Sequence, residues 1–278
     1  EKVNIEIKNI EPDVIFHFAA QSLVISSQKN PKETLETNIL GTFNVLNSLN
    51  SISKRVACIV ATTDKVYKNP GKLNKESDEL GSFEYYGASK VSVEHVVNSY
   101  NNDINSINKV TIVRSGNVLG GGDGGHNRIL TDILYSINNK KELVLRNPSS
   151  IRPWQFVLDS VGGYLLTAQE NYQNNQSMVY NLNSPEINEV TVEILSEKLI
   201  KRFDSGVEIS FHNSNKYKES DILRIDSSKA QKELGWKTFY SIDDIVENIY
   251  LWENSKISGS IISETNRQIT EYLSRFSS

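Results

Sequence analysis

The first half of the chain alternates short apolar runs with segments whose apolar side chains recur at helical spacing, and this rhythm narrows the possible folds more than any other feature. Runs that are apolar almost without interruption belong to strands buried on both faces, as in a parallel sheet covered by helices. Strands are expected at Val14 to Ala20, Val56 to Ala61 and Val110 to Val113. Helices are expected over Lys32 to Leu49, where Leu35, Ile39, Phe43 and Leu46 share a face, and over Tyr86 to Tyr100. A further helix is expected near Arg128 to Ile137. Beyond Pro153 the alternation loosens, with a strand at Ser177 to Leu182 and a helix at Thr191 to Phe203. Ser227 or Ser228 caps a short helix that Gly235 ends, and Ser241 starts another that runs to the vicinity of Trp252. The expected class is α/β, a doubly wound parallel sheet with a smaller C-terminal α/β lobe.

Composition bounds the chemistry. With 278 residues, 38% of them hydrophobic, the chain can bury a substantial core. A balance of 30 Lys and Arg against 34 Asp and Glu gives no broad field for nucleic acid or an anionic membrane, so any phosphate must be gripped locally. The one cysteine, Cys58, lies in the apolar run Val56 to Val60 and reads as a buried, inert thiol. No apolar run approaches the roughly 18 residues of a membrane span, and no basic-then-apolar signal pattern opens the chain. A cytoplasmic setting is expected. His17 reads as a satisfied strand histidine. His95, His126 and His212 share no ligand spacing with it or with Cys58, and no metal is expected.

Tyr86 and Lys90 stand four residues apart in Tyr-Gly-Ala-Ser-Lys, a spacing that stacks both side chains on one face of a helix. An ammonium beside a phenol favours phenolate, which makes tyrosine usable as a base. Directly after the second strand, Thr62-Thr63-Asp64-Lys65 gathers polar groups at a strand's C-terminal end, where open parallel sheets bind ligands. An adjacent carboxylate and amine can share acid and base roles there. The cluster Gly120 to Gly125 follows a strand and precedes a helix, but its spacing does not fit a dinucleotide fingerprint and it comes too late in the chain; a mobile loop over a substrate is expected instead. Asn117, Arg114, Arg128, Arg146 and Arg152 lie in or near this region, and guanidinium forks suit diphosphate oxygens. Arg152-Pro153-Trp154-Gln155 combines a fork, a rigid turn and an aromatic wall.

In combination, Phe16-His17-Phe18-Ala19-Ala20-Gln21, Thr63-Asp64-Lys65, Tyr86 to Lys90 and Arg114-Ser-Gly-Asn117-Val-Leu-Gly-Gly-Gly-Asp123 resemble the extended short-chain dehydrogenases/reductases that act on nucleotide sugars. Arg146-Asn147-Pro148, Ile151 to Gln155, Asp226 to Ala230 and Leu234-Gly-Trp are similar to the CDP-glucose 4,6-dehydratases within that family, and Lys65 is the sharper clue. The resemblance implies a Rossmann-type sheet and the cofactor NAD, with residues 1–118 as an incomplete NAD-binding domain. Residues 119–278 would be mainly a sugar-nucleotide-binding lobe, with some segments returning to the sheet. It implies Thr63, Asp64, Lys65, Tyr86 and Lys90 as catalytic residues. Ala19, Ala20, Gln21 and Thr62, with Tyr86 and Lys90, would line the cofactor. Asn117, Arg128, Arg152 and Gln155 would hold the substrate. Tyr86, assisted by Lys90 and Thr63, would take the 4-hydroxyl proton while hydride leaves C4 for NAD. Asp64 and Lys65 would eliminate water across C5 and C6 before hydride returns to C6. Asn38 would sit on the neighbouring helix, either in a structural hydrogen bond to the strand or in a catalytic role.

The resemblance also implies that the chain enters just before the family's fourth strand, without the glycine-rich turn that binds the pyrophosphate. The strand from Val14 would then be an open edge, and a fragment that binds NAD poorly alone is expected. A homodimer is expected through the helices Lys32 to Leu49 and Tyr86 to Tyr100, with a nucleotide sugar as the small-molecule partner. Two other readings stay open: a sugar-nucleotide epimerase or other dehydratase on the same scaffold, and a non-catalytic sugar-nucleotide-binding or assembly subunit.

Overall fold

A computed structural model describes residues 2–125, 127–187, 189–211 and 220–276. His126 and His212 lie outside these. The strands are β1 (Val14–His17), β2 (Ala57–Thr63), β3 (Val110–Ser115), β4 (Asn117–Leu119), β5 (Leu143–Leu145), β6 (Trp154–Phe156), β7 (Val179–Leu182) and β8 (Ile209–Phe211). The α-helices are α1 (Lys2–Ile10), α2 (Val24–Lys29), α3 (Pro31–Leu35), α4 (Gly41–Leu49), α5 (Tyr85–Asn102), α6 (Ile129–Asn139), α7 (Val157–Asn174), α8 (Val192–Arg202), α9 (Ser228–Leu234), α10 (Ile242–Ser258) and α11 (Ile261–Phe276). They make up two compact units.

The first unit comprises Glu1–Ser115, Gly162–Leu182 and Ile225–Trp236. Its sheet is parallel throughout, in the order β1-β2-β3-β7, with Ile15 opposite Cys58, Cys58 opposite Val110 and Ile112 opposite Val179. Successive side chains of β2 point to opposite faces and both faces are covered, which is why the strand reads as one apolar run. Cys58 and Val60 pack with Leu46 and Leu49 of α4 and Val93 and Val97 of α5. Ile59 packs on the other side with Tyr164 and Ala168 of α7 and with Ala230 and Trp236. The expected strand from Val14 is shorter than the sequence suggests, ending at His17, because Phe18 and Ala19 turn out to solvent. Among the described residues β1 pairs with β2 alone, so it is an edge strand, as expected.

The expected helix from Lys32 to Leu49 is one continuous helical path with a wide turn inside it. Glu36–Leu40 form a π-helical turn between α3 and α4, and Asn38 at its centre is buried. Such turns carry one extra residue and are frequent at functional sites.

The second unit comprises Gly116–Val161, Asn183–Arg224 and Lys237–Ser278. Two short parallel pairs, β4 with β6 and β5 with β8, are held by a large apolar core. Trp154, Phe156, Ile133, Leu195, Ile245 and Ile249 are at its centre. The Ser241 hydroxyl accepts from the amide of Asp244, whose carboxylate accepts from the Ser241 amide, a reciprocal cap that starts α10. That helix runs on to Ser258, past the expected end, and stops at Gly259, whose φ of 69° suits a residue without Cβ. At α9 the expected capping serine makes no side-chain cap; Asp226 accepts from the Ser228 amide at 2.8 Å instead, and Gly235 ends the helix as expected. Among the described residues no helix is long and apolar enough to cross a membrane.

Candidate active site

The C-terminal end of β2 delivers Thr62 and Thr63, both buried, and a 3-10 turn, Asp64–Val66, follows at once. The Thr63 hydroxyl donates to Asp64 Oδ1 at 2.8 Å and also bonds the Tyr86 phenol, so it stands between the phenol and the carboxylate. Asp64 is 3% exposed, and Lys65 beside it is half-buried.

α5 brings in Tyr86 and Lys90. Glu84 caps the helix, accepting from the amides of Tyr86 at 3.0 Å and Gly87 at 2.7 Å. Gly87 leaves room for this cap, since a Cβ there would lie 2.1 Å from the Ser82 hydroxyl. Tyr86 and Lys90 are both buried, and Lys90 Nζ donates to the Ala61 carbonyl at 2.8 Å. Burial pushes the Tyr86 phenol well above its ordinary range; the Thr63 bond opposes this, and the charges of Asp64 and Glu84 add to it. Burial brings Lys90 down to about 8, with Glu94 opposing. Thus burial acts on both groups, raising the phenol and bringing the lysine towards neutral pH.

A second cluster fixes the loop after β1. Asn38 Oδ1 accepts from the Gln21 amide at 2.8 Å, and its Nδ2 donates to the Gln21 carbonyl at 3.0 Å and to the Ser89 hydroxyl at 2.8 Å. The π turn thereby ties the Ala19-Ala20-Gln21 segment to α5. The Thr42 hydroxyl gives its proton to the Asn38 carbonyl, so His17 Nε2, 2.9 Å from it, is the donor in their contact. His17 is the satisfied strand histidine expected; burial first, then the Lys90 charge, brings it down to about 4. Cys58 is likewise the buried thiol expected, pushed up to about 12.

The residues around Lys90 fit the nicotinamide end of a dinucleotide. Ala19 and Ala20, which follow β1, carry only methyl side chains, and an ammonium has three N–H groups, of which one is spent on Ala61.

In the second unit, β4 and β6 bring Asn117 beside Arg152 to Gln155, with the Asn117 amide on the Pro153 carbonyl at 2.9 Å. Arg152 is buried and turned onto the carbonyls of Ile151 and Asp221, at 2.9 and 3.2 Å, and Gln155 is fully buried. Trp154 is not the aromatic wall that the sequence suggests. It is fully buried, with Nε1 on the Val190 carbonyl at 2.8 Å, because its ring fills the core beneath β6. Arg114 is not an open fork either, since it is buried in the first unit against Glu94. Arg128 is exposed at the start of α6 and pairs with Asp123 at 3.1 Å. The glycine-rich loop is seated rather than loose at its start, where a Cβ on Gly121 would lie 2.2 Å from the Trp252 ring. Sequence reasoning missed Glu94, although it continues the four-residue ladder of Tyr86 and Lys90.

The parallel sheet and the buried Tyr86–Lys90 pair define an extended short-chain dehydrogenase/reductase. Residues 1–249 match the family described as GDP-mannose 4,6 dehydratase, and the chain belongs to that family of nucleotide-sugar enzymes. It is 32% identical to the CDP-glucose 4,6-dehydratase of Salmonella typhimurium over 99% of this chain and 80% of that protein. It is 26% identical to the UDP-glucose 4-epimerase of Lactobacillus helveticus, over 89% of this chain and 78% of that one. Its fold is that of the UDP-glucuronic acid 4-epimerase of Bacillus cereus, solved with UDP-glucuronic acid and NAD, at a TM-score of 0.79 and 21% identity, covering 90% of this chain and 77% of that one. The UDP-glucose-4-epimerase of Stenotrophomonas maltophila, solved with NAD, gives a TM-score of 0.82 at 18% identity, covering 93% and 81%. NAD, the cofactor expected from the sequence, is thus bound in both of these solved relatives.

Proposed function

We propose that the chain carries the chemistry of an NAD-dependent 4,6-dehydratase of a nucleotide-activated hexose, and that the hexose is CDP-glucose. The observation that carries this reading is the polar sequence Thr63-Asp64-Lys65 at the buried end of β2, bonded through Thr63 to Tyr86. An epimerase needs a group for the 4-hydroxyl proton but no acid and base for elimination; here the Asp64 carboxylate lies beside that group and Lys65 follows it in the chain. The 32% identity to a CDP-glucose 4,6-dehydratase supports the cytidine nucleotide.

On this reading Tyr86 in its phenolate form accepts the proton of the 4-hydroxyl; the Lys90 ammonium one helical turn away favours that form against burial, and Thr63 stands between the phenol and Asp64. NAD, when bound, supplies the acceptor and donor of hydride. Lys65 and Asp64 take the C5 proton and give a proton to the departing 6-hydroxyl, so that water leaves. Ala19, Ala20, Gln21 and Thr62 line the cofactor with Tyr86 and Lys90. Asn117, Arg128, Arg152 and Gln155 hold the sugar nucleotide, the first three at its diphosphate. Residues 1–118 then serve the cofactor, and 119–278 chiefly the sugar nucleotide. The exposed Leu40 and Phe43 by α4 support a homodimer.

The test is incubation of the chain, with and without a grafted N-terminal cofactor half, with CDP-glucose and NAD, and in parallel with UDP-glucose, following the base-induced absorbance of a 4-keto-6-deoxy product. The expected result is product from CDP-glucose, reduced about 100-fold or more by Tyr86→Phe. Interconversion of epimers without loss of water would support the epimerase reading instead, and bound NAD with neither product would remove the enzyme reading.

A further inference from the structure

One helical turn beyond Lys90, α5 buries a further charged residue. Glu94 is 1% exposed, and its spacing of four places it on the face that carries Tyr86 and Lys90. A carboxylate at that depth needs partners for both oxygens. Oε1 accepts from the Thr62 hydroxyl at 2.8 Å and from Arg114 Nε at 2.9 Å, and Oε2 accepts from Arg114 Nη2 at 2.5 Å. Arg114 Nη1 continues to the Tyr67 hydroxyl at 2.8 Å, and that hydroxyl donates to Asn181 Oδ1 at 2.6 Å. The ion pair therefore links α5 to β2, β3 and β7, and it meets β2 at the residue before Thr63.

A buried ion pair gives weak grounds for stability, because apolar side chains of the same volume often serve as well. Its placement gives a different reason for it. We infer that Glu94, held by Arg114, is a positioning residue for the Tyr86–Lys90 pair: its carboxylate balances the Lys90 ammonium, and its bond to Thr62 fixes the strand end that presents Thr63. This rests on the reading of Tyr86 and Lys90 as acid–base residues. Lys90 faces His17 from β1, the Ala61 carbonyl from β2 and Glu94 from its own helix, while Asp64 lies beside the phenol. The His17 imidazole, brought down to about 4, is neutral near pH 7 and offers no charge to Lys90. Glu94 is the group that opposes the effect of burial on the ammonium. Arg114 keeps that carboxylate aimed and compensated.

The deciding measurement is a pH titration of the full chain with lysine labelled at 13Cε, the Lys90 signal being assigned with Lys90→Met. In Glu94→Gln the Lys90 midpoint moves down by about one pH unit or more, since the opposing charge is gone and Arg114 is left beside it. Thr62→Val leaves the midpoint in place but lowers kcat more than it raises KM, because the strand end is less firmly held. A folded Glu94→Gln chain with an unmoved midpoint overturns the inference. Should that variant fail to fold, Glu94→Gln/Arg114→Gln removes both charges together; a smaller downward shift supports the inference and none overturns it. Glu94→Asp restores most of the shift. With CDP-glucose and NAD, the alkaline limb of the rate follows the Lys90 midpoint. If the unaltered chain makes no dehydrated product, the functional reading fails while the titration still decides the role of Glu94.

Discussion

Beneath α5 the first unit buries Thr62, Thr63, Asp64, Lys90, Glu94 and Arg114, whereas the second unit packs Trp154, Phe156, Ile133, Leu195, Ile245 and Ile249 at the centre of its core. Desolvating charge is costly unless each group is paired, so the first arrangement demands a hydrogen-bond plan that the second does not. Thr62, Glu94, Arg114, Tyr67 and Asn181 supply that plan. The cost is taken on at the C-terminal ends of parallel strands, where such sheets act on ligands. Buried polarity is concentrated at the candidate site, and the centre of the second unit is apolar.

The contrast is most severely tested at Trp154. Trp154→Ala removes the largest fully buried side chain of the second unit and should cost about 3–5 kcal/mol in urea unfolding. The Lys90 titration of the folded variant should stay where it was; a moved midpoint would mean that the apolar core is not mere support.

The second unit buries charge too, and Asp159 is its most deeply buried carboxyl, with no exposed surface near the start of α7. It accepts from the Phe239 amide at 3.1 Å, yet burial raises it to about 7, with the Phe239 and Tyr240 amides and Arg275 pulling it back. Its proton is held more tightly folded than unfolded, so stability is greatest below the ordinary carboxyl range and declines as pH climbs towards 7. Unfolding in urea at a series of pH values should show a loss on the order of 4 kcal/mol from this residue between about pH 4 and 8. Asp159→Asn should flatten that slope, and an unchanged slope would place the pH dependence elsewhere.

The smallest effect concerns the glycine-rich loop. Gly121→Ala drives a methyl into the Trp252 ring and should cost about 1–3 kcal/mol. Gly124→Ala, with no atom within 4 Å of the added methyl, should change stability by less than about 0.5 kcal/mol. Equal costs at the two positions would mean that the loop is not seated on Trp252.

Much of the first unit was legible because strands covered on both faces leave apolar runs, unbroken from Val56 to Ala61 at β2 and interrupted only by Thr111 and Asn181 within the apolar stretches of β3 and β7. Helices with strong caps were legible too: Ser241 and Asp244 announce α10, and Gly235 closes α9. Strands of three residues, such as β4 and β6, have no room to show a period, so the parallel pair that sets Asn117 beside Arg152 was not foreseen. The site was half legible. Tyr86 and Lys90 speak through one helical turn, but Arg114 lies twenty residues beyond Glu94 and only the pairing of strands reveals why it is buried. For the same reason Trp154, which looks like a ligand wall in the sequence, is core.

The wide turn at Glu36–Leu40 bears on which insertions and deletions this lineage can tolerate. A helix with one residue too many is what remains when a single codon is inserted and kept. Deleting one residue there would restore regular winding with Val45, Leu46 and Leu49 still facing the core, because the wide turn absorbs the extra residue locally. What would be lost is the placement of Asn38, and with it the grip on Gln21 and Ser89. The extra residue thus serves the loop after β1 and not the packing of α4.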